Sequence, residues 1–273
     1  MNNSIHHNLI ADKVSFRYKD SDKKEHKWEG LNFQVENGSV TSILGESGVG
    51  KTTLLKILSG IHAPEKGSVY INSPANVIQQ PQSPIFVVFQ DYNLTLLPWL
   101  TVRQNILLGQ YKTGNKITNE SVLKIVKELF KEFHSDHEAF LNKYPNNLSG
   151  GQRQRLQIAR ALVSDAQFIM FDEPDSAVDF RTKSSIRELI KYLSKEKKIG
   201  VIVITHDIEN AIAFSNKIYV LARQDKEAVL KEFLVPDVLQ KKGSFSEVVE
   251  ADEFQIFKKQ IIDQFYKLEN APA

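Results

Sequence analysis

The chain has 273 residues, 41% of them hydrophobic and 25% charged, proportions that are typical of a globular protein with a buried core. Its net charge of +2 does not indicate a nucleic-acid partner, and the lack of cysteine excludes disulfides and thiolate metal sites and is compatible with a reducing cytosol. No apolar run approaches the roughly 18 residues of a membrane-spanning helix, and the first residues show no secretory signal.

The first third of the sequence predicts strands. Residues 13–18 (KVSFRY) and 31–36 (LNFQVE) alternate apolar and polar side chains, as half-buried antiparallel strands do, and the polar stretch at 19–30 is predicted to be a loop. Residues 39–45 (SVTSILG) form a predicted buried strand that runs into glycines. A short helix ending at Gly60, and further strands at 67–72 (GSVYIN) and 85–90 (IFVVFQ), follow.

The second half predicts helices around a parallel sheet. The pattern is helical from about 101 to 162, and the apolar segments at 166–172 (AQFIMFD) and 198–207 (KIGVIVITHD) flank a helix, which makes a strand–helix–strand unit. The tail carries apolar residues at helical intervals, which favours a helix docked on the body, with a partner-binding helix as the alternative. These residues are Phe254, Phe257, Ile261, Phe265 and Leu268.

A glycine-rich segment between a predicted strand and a predicted helix indicates a phosphate site. GESGVGKTT fits the pattern G-x-x-x-x-G-K-[ST], in which glycines let backbone N–H groups converge on an anion at a helix N-terminus. Lys51 is a point charge for the β and γ phosphates, and Thr52 offers a hydroxyl to Mg²⁺. The predicted nucleotide contacts are Gly45, Glu46, Ser47, Gly48, Val49, Gly50, Lys51, Thr52 and Thr53.

Polar residues follow three other buried strands, at the edge where such sheets bind ligands. Asp172 ends FIMFD and is a candidate Mg²⁺ ligand, directly or through water, and the next residue, Glu173, is a candidate acceptor for a proton from water. His206 ends VIVIT and is the only histidine to which we assign a role. Gln90 ends IFVVF and is a candidate for Mg²⁺ or the attacking water, with a strand cap as the alternative.

A second backbone cradle is predicted at LSGGQRQR, residues 148–155. Ser149, Gly150 and Gly151 are poor helix formers, yet the segment after them has helical spacing of apolar residues. A serine and two bare glycines at a helix N-terminus form an anion site.

Taken in order, these motifs resemble the ATP-binding subunit of an ABC transporter over roughly residues 9–223. The resemblance implies an α/β P-loop NTPase (RecA-like) fold with a mainly parallel core, an antiparallel β subdomain and an inserted helical subdomain. It makes LSGGQ, with Ser149 to Gln152, the signature motif. Gln90 becomes the Q-loop glutamine, His206 the switch histidine and Tyr18 the adenine-stacking aromatic. The D-loop is Ser176-Ala177-Val178-Asp179, where leucine is usual at the third position.

The same resemblance implies boundaries and partners. Residues 1–235 would form the ATP-binding domain, with its helical subdomain at about 91–163, and 236–273 a helical tail. Two copies would pack head to tail, so that each signature loop covers the ATP held with Mg²⁺ by the other copy. The chain would be a peripheral ATPase at the cytoplasmic face of the inner membrane, attached to transmembrane permease subunits and indirectly to a solute-binding protein, with no nucleic acid.

The solute class rests on a short segment after Gln90. Residues 96–102 (LLPWLTV) resemble importers for nitrate, sulfonates, taurine and related small solutes, and Trp99 with its leucine neighbours would seat a helix of the membrane subunit or pack internally. The alternative from another class is a non-transport ATPase of the same family, such as an iron–sulfur assembly factor or a DNA-associated clamp. No long heptad array and no second ATPase domain is visible to favour it.

Overall fold

The structure, a computed structural model, describes residues 7–19, 25–72, 77–79, 85–89, 95–112, 117–130, 136–174, 180–224 and 227–270. The strands are β1 (Asn8–Lys19), β2 (Glu25–Glu36), β3 (Val40–Gly45), β4 (Lys66–Asn72), β5 (Val77–Gln79), β6 (Ile85–Val88), β7 (Phe168–Asp172), β8 (Gly200–Thr205), β9 (Lys217–Gln224) and β10 (Glu227–Leu234). The α-helices are α1 (Lys51–Leu58), α2 (Val102–Leu107), α3 (Asn119–Leu129), α4 (His137–Leu141), α5 (Gly150–Val163), α6 (Phe180–Lys191), α7 (Ile208–Phe214), α8 (Asp237–Gln240), α9 (Phe245–Val249) and α10 (Asp252–Asn270). Short helical turns lie at Leu108–Lys112, Pro145–Asn147 and Tyr192–Glu196. In these ranges no helix is both long and apolar enough to cross a bilayer.

The chain divides into two compact units. The core unit comprises Met1–Gln82 and Met170–Ala273, and the helical unit comprises Ser83–Ile169. The core unit contains the nucleotide motifs around Lys51, Asp172 and His206, whereas the helical unit contains Ser149 and the signature segment.

A mainly parallel sheet forms the centre of the core unit, as the sequence predicted, and its edge strand β10 runs antiparallel to β9. Its strands follow the order β10-β9-β3-β8-β7, with β3 parallel to β8 on one side and to β9 on the other. Every residue of β3 and β8 is buried, which is why neither strand alternates apolar and polar side chains in the way of a half-buried strand. Leu44 pairs with Thr205, and Gly45 pairs with Leu221, so the residues that follow β3 and β8 emerge at the same edge of the sheet.

A separate antiparallel sheet, in the order β2-β1-β4-β5, confirms the predicted β subdomain. The prediction of a loop at 19–30 is wrong at its carboxyl end, because β2 already begins at Glu25. In the pairing of β1 with β2, Lys19 lies opposite Glu25 and Tyr18 lies opposite His26. Most side chains of this extension face solvent, so its polar composition hides the strand. Trp28, which is 0% exposed, is the one residue that holds it to the core.

In the helical unit, the side chains of Asn105 and Arg160 fix the segment that contains Trp99. Asn105 is 0% exposed, and its Nδ2 donates to the carbonyls of Leu97, Leu100 and Thr101 at 3.0–3.1 Å. The guanidinium of Arg160 donates to Asn105 Oδ1 at 2.7 Å. Burial lowers the pKa of Arg160 to about 10, so it stays charged at neutral pH. Residues 95–101 form no regular helix or strand, and these side-chain hydrogen bonds hold their backbone in place.

The tail is tied to the core unit through α6. Arg187 on α6 is 2% exposed, and its guanidinium donates to the carbonyls of Ala213 at 2.8 Å and Gly243 at 2.7 Å. Lys191, one helical turn further, also donates to Gly243 O, at 3.0 Å. Two basic side chains of α6 therefore bind backbone carbonyls in α7 and in the turn between α8 and α9.

Candidate active site

The glycine-rich loop is shaped by glycines with positive φ. Gly48 has φ +77° and Gly50, the N-cap of α1, has φ +102°, a region that other residues rarely adopt. A Cβ added to Gly50 would come within 2.9 Å of Trp28 Nε1 and of the Tyr18 ring. Tyr18 therefore lies against the loop itself, beside the N-terminus of α1.

Lys51 is buried at the centre of this loop. Its side chain is 5% exposed, and Nζ donates to the carbonyls of Gly45 at 2.8 Å and Glu46 at 2.9 Å. Desolvation lowers the pKa of Lys51, and the carboxylates of Glu173 and Asp172 oppose that shift. The loop thus holds a cation with few waters around it, which an incoming anion would stabilise.

An oxygen-rich pair lies beside the lysine. Thr52 Oγ1 is 3.5 Å from Asp172 Oδ2, so a hydroxyl in the first turn of α1 faces the carboxylate that ends β7. Burial raises the pKa of Asp172, as does the charge of Glu173. A hydroxyl and a carboxylate are the oxygen donors that Mg²⁺ prefers, and a cation here would relieve the repulsion between the two carboxylates. The residues present therefore fit a magnesium ion.

Glu173 joins the phosphate side of the site to His206. Its Oε1 lies 3.8 Å from Lys51 Nζ, and its Oε2 lies 3.4 Å from His206 Nδ1. The backbone of Glu173 has φ +46°, which is unfavourable for a side chain with a Cβ, and its N–H donates to Ile204 O at 2.9 Å. The neighbouring strand thus holds this residue in a conformation that aims its carboxylate at both partners.

The loop that carries His206 depends on a residue that the sequence analysis did not single out. Asp207 Oδ1 accepts the N–H groups of Glu209 at 2.9 Å and Asn210 at 3.2 Å, and so caps α7. Its Oδ2 pairs with Lys183 on α6 at 3.2 Å. The signal was present, because Asp directly before a helical segment is a common N-cap.

The signature segment begins α5 in the helical unit. Ser149 is its N-cap, and Ser149 Oγ accepts from Gln152 N at 3.3 Å while Gln152 Oε1 accepts from Ser149 N at 3.0 Å. The serine Oγ acts here as an acceptor, so its own hydrogen can be donated to an anion. A Cβ added to Gly151 would meet no atom within 4 Å, which leaves open space beside the cradle.

The structure thus brings together Lys51, Thr52, Asp172, Glu173 and His206 at one edge of the core sheet, with Tyr18 beside the loop. Glu46, Ser47 and Gly48 are exposed on the loop, Val49 is buried and Thr53 is half-buried. Ser149 and Gln152 belong to the other unit. Gln90 and Asp179 lie outside the described residues.

A cavity of about 690 Å³ opens beside these groups. One side consists of Gly45, Glu46 and Ser47 with Glu173 and His206. The other side is apolar and includes residues of α10, a helix that the sequence analysis did not connect with the nucleotide motifs. The full set of lining residues is Leu44, Gly45, Glu46, Ser47, Glu173, His206, Ile208, Ile262, Phe265 and Tyr266.

Known proteins are similar to this chain over most of its length. The family model described as ABC transporter matches residues 28–176. The aliphatic sulfonates import ATP-binding protein SsuB of Bacillus cereus is 32% identical over 237 residues, which are 87% of this chain and 87% of that protein. The spermidine/putrescine import ATP-binding protein PotA of Oleidesulfovibrio alaskensis is 37% identical over 71% of this chain and 50% of that protein. The bicarbonate transport ATP-binding protein CmpC of a Synechocystis species is 34% identical over 71% of this chain and 28% of that protein.

Solved structures agree with the sequence comparisons. A dimeric ATP-binding cassette in a post-hydrolysis state, bound to ADP and Pi, is 32% identical with a TM-score of 0.66, covering 84% of this chain and 99% of that one. The protein cbiO1 from Clostridium perfringens, part of the cbiONQ transporter complex, is 25% identical with a TM-score of 0.67, covering 94% and 98%. These matches confirm the P-loop NTPase fold.

Proposed function

Because the chain belongs to the ABC transporter family and is one of its ATPases, we propose that it powers uptake of a small solute, as a head-to-tail dimer with ATP bound between the two copies. The observation that carries this proposal is the cluster of Lys51, Asp172, Glu173 and His206 at one sheet edge. Separate transmembrane permease subunits would hold the dimer at the cytoplasmic face of the membrane, and a solute-binding protein would deliver the solute.

In the proposed site, the residues from Gly45 to Thr53 surround the phosphates. Backbone N–H groups and the N-terminus of α1 face the anion, and Lys51 Nζ leaves the carbonyls that it now contacts to bind the β and γ phosphates. Tyr18 would stack on the adenine. Thr52, Asp172 and Gln90 would hold Mg²⁺, which when bound supplies positive charge that offsets the charge of the phosphates.

Hydrolysis requires a base for the attacking water and a hydrogen-bond donor to the γ-phosphate. Glu173, already oriented by Lys51 and His206, would accept a proton from the water that attacks the γ-phosphorus. His206 would donate a hydrogen bond to the γ-phosphate. Gln90 would orient the water. In such reactions catalysis consists mostly of positioning and charge stabilisation, which suits a site made of fixed strand ends.

The signature segment would act on the other copy's nucleotide. Ser149 Oγ–H and the N–H groups of Gly150 and Gly151 would donate to the γ-phosphate across the dimer interface, with Gln152 and Asp179 at the same interface. Each charge-assisted hydrogen bond contributes about 1.5–3 kcal/mol. Hydrolysis removes the phosphate that these bonds share, and so it shifts the equilibrium from closed to open dimer.

The absence of cysteine from the sequence allows a direct test of this arrangement. Glu46→Cys and Asn147→Cys are prepared separately in a Glu173→Gln background, so that a bond between the two positions can form only between copies. We expect a bifunctional thiol reagent to give a mixed dimer with Mg-ATP and little of it with Mg-ADP. Each variant alone serves as the control. Failure to form the mixed dimer under these conditions would disprove the head-to-tail arrangement.

The solute class is proposed from residues 96–102, which resemble importers of sulfonates, nitrate and taurine. Support comes from the similarity to SsuB, whose name states import of aliphatic sulfonates. The names of PotA and CmpC state spermidine/putrescine import and bicarbonate transport instead. Trp99 is 69% exposed while the neighbouring Leu96 is buried, so the tryptophan ring is available to another subunit. We propose that a helix of the permease packs against Trp99.

Trp99→Ala is expected to weaken coupling without affecting the isolated ATPase. Because an exposed aromatic anchor contributes about 2 kcal/mol or more to an interface, retention of the permease in a pull-down should fall by about tenfold or more. ATP hydrolysis by the purified subunit and its melting temperature should stay unchanged, since the ring packs on little of its own chain. The exposed Tyr144→Ala provides the control for loss of a surface aromatic. Unchanged permease retention would refute the assigned role.

A further inference from the structure

The tail helix α10 packs on the core unit beside the switch histidine. Phe254, Phe257 and Ile261 on one face are buried, and the helix contacts β9 and α7. The helix α7 begins at Ile208, two residues after His206. The tail is therefore joined directly to the element that carries the loop of His206.

The carboxyl half of α10 also faces the catalytic groups. Ile262, Phe265 and Tyr266 line the same cavity as Glu173 and His206. Ile208, the first residue of α7, lines the same cavity. Part of the lining of this cavity thus comes from a segment that contains none of the nucleotide motifs.

One ion pair connects the two helices. Lys258 Nζ on α10 lies 2.6 Å from Glu209 Oε1, and Glu209 stands in the first turn of α7. Asp207, immediately before that turn, pairs with Lys183 on α6, with 3.2 Å between Lys183 Nζ and Asp207 Oδ2. The loop that carries His206 therefore has one charged attachment to α6 and another to α10.

We propose that α10 positions His206, with Lys258 acting through Glu209 as a positioning residue for ATP hydrolysis. The inference rests on the proposed function, since it assigns the tail to that same site. His206 is 57% exposed, so little packing on its own ring fixes it, and its location depends on the backbone that enters α7. A displacement of about 1 Å at a reacting group can lower a rate by up to about 100-fold.

If this ion pair had a purely structural role, its removal would change the melting temperature and leave kcat unchanged. Lys258 and Glu209 are 28% and 41% exposed, and exposed ion pairs contribute little to stability. Removing the pair should leave the melting temperature nearly unchanged. If the pair positions His206, its removal should lower kcat and leave KM for ATP unchanged, because the phosphate contacts of Lys51 are untouched.

The test is a double-mutant cycle of Lys258→Met, Glu209→Gln and the double variant, with the exposed Lys259→Met on the same helix as the control. We expect each single variant to lower kcat by about threefold to tenfold with KM unchanged. The double variant should match the single variants rather than show the product of their effects, because each change breaks the same link. Lys259→Met should behave as wild type.

A second measurement does not depend on turnover. In the nucleotide-free protein, the imidazole NMR resonance of His206 should shift in Lys258→Met and stay in place in Lys259→Met. Wild-type kcat in Lys258→Met together with an unmoved His206 resonance would overturn the inference while leaving the proposed ATPase intact. A wild-type protein that hydrolyses no ATP would instead overturn the proposed function, and the inference with it.

Discussion

Glu173→Gln is expected to lower ATP turnover by at least about 100-fold while ATP still binds. Glutamine keeps the shape of the side chain but cannot accept a proton, so the attacking water would lose its proposed base. The change also removes a negative charge that lies 3.8 Å from Lys51 Nζ, which should strengthen binding of the γ-phosphate. Because the phosphate persists, the dimer should persist as well. Phosphate release measures the first effect, and gel filtration with Mg-ATP measures the second.

The exposed Glu250→Gln is the matched control, since it makes the same chemical change away from the site. It should hydrolyse ATP and elute as wild type does. If Glu173→Gln elutes as a monomer in Mg-ATP, the proposed dimer is contradicted. Rapid phosphate release by that variant would contradict the role of Glu173 as base.

His206→Ala is expected to lower turnover by about 100-fold, within the range of a lost catalytic contact, with the affinity for ATP changed by less than about threefold. The ring contacts Glu173 through Nδ1 and lies at the rim of the cavity, whereas the phosphate loop is built without it. The loss should therefore appear in kcat. A fluorescent ATP analogue measures binding, and single-turnover phosphate release measures the chemical step.

His62→Ala replaces another exposed histidine of the core unit, outside the cluster, and serves as the control for imidazole loss. Near wild-type phosphate release by His206→Ala would remove the histidine from the mechanism. It would also remove the reason for which Lys258 is proposed to matter, so the two experiments constrain each other.

Much of the fold was predictable because its strands have distinctive patterns. The apolar runs of β7 and β8 predicted parallel strands, and Gly45 and Lys51 belong to a motif whose spacing is set by the chemistry of phosphate. The start of β2 at Glu25 was missed, because an extension that faces solvent is polar and only Trp28 is buried in it. Pairing with β1, and not composition, makes those residues a strand.

The wall that α10 adds to the site was not predictable from the sequence. The spacing of Phe254, Phe257 and Ile261 indicated a docked helix, but periodicity gives a buried face and no partner for that face. The pairing of Lys258 with Glu209 joins residues 49 positions apart, and no motif relates them. Only tertiary packing brings the tail to the site.

The positive φ of Glu173 also has an evolutionary consequence. A residue with a Cβ pays about 1–2 kcal/mol to adopt left-handed backbone, and glycine does not. A mutant library screened for heat resistance alone should therefore enrich glycine at this position and discard the carboxylate. Robustness and activity are opposed at this single position, and only selection for transport would keep the glutamate.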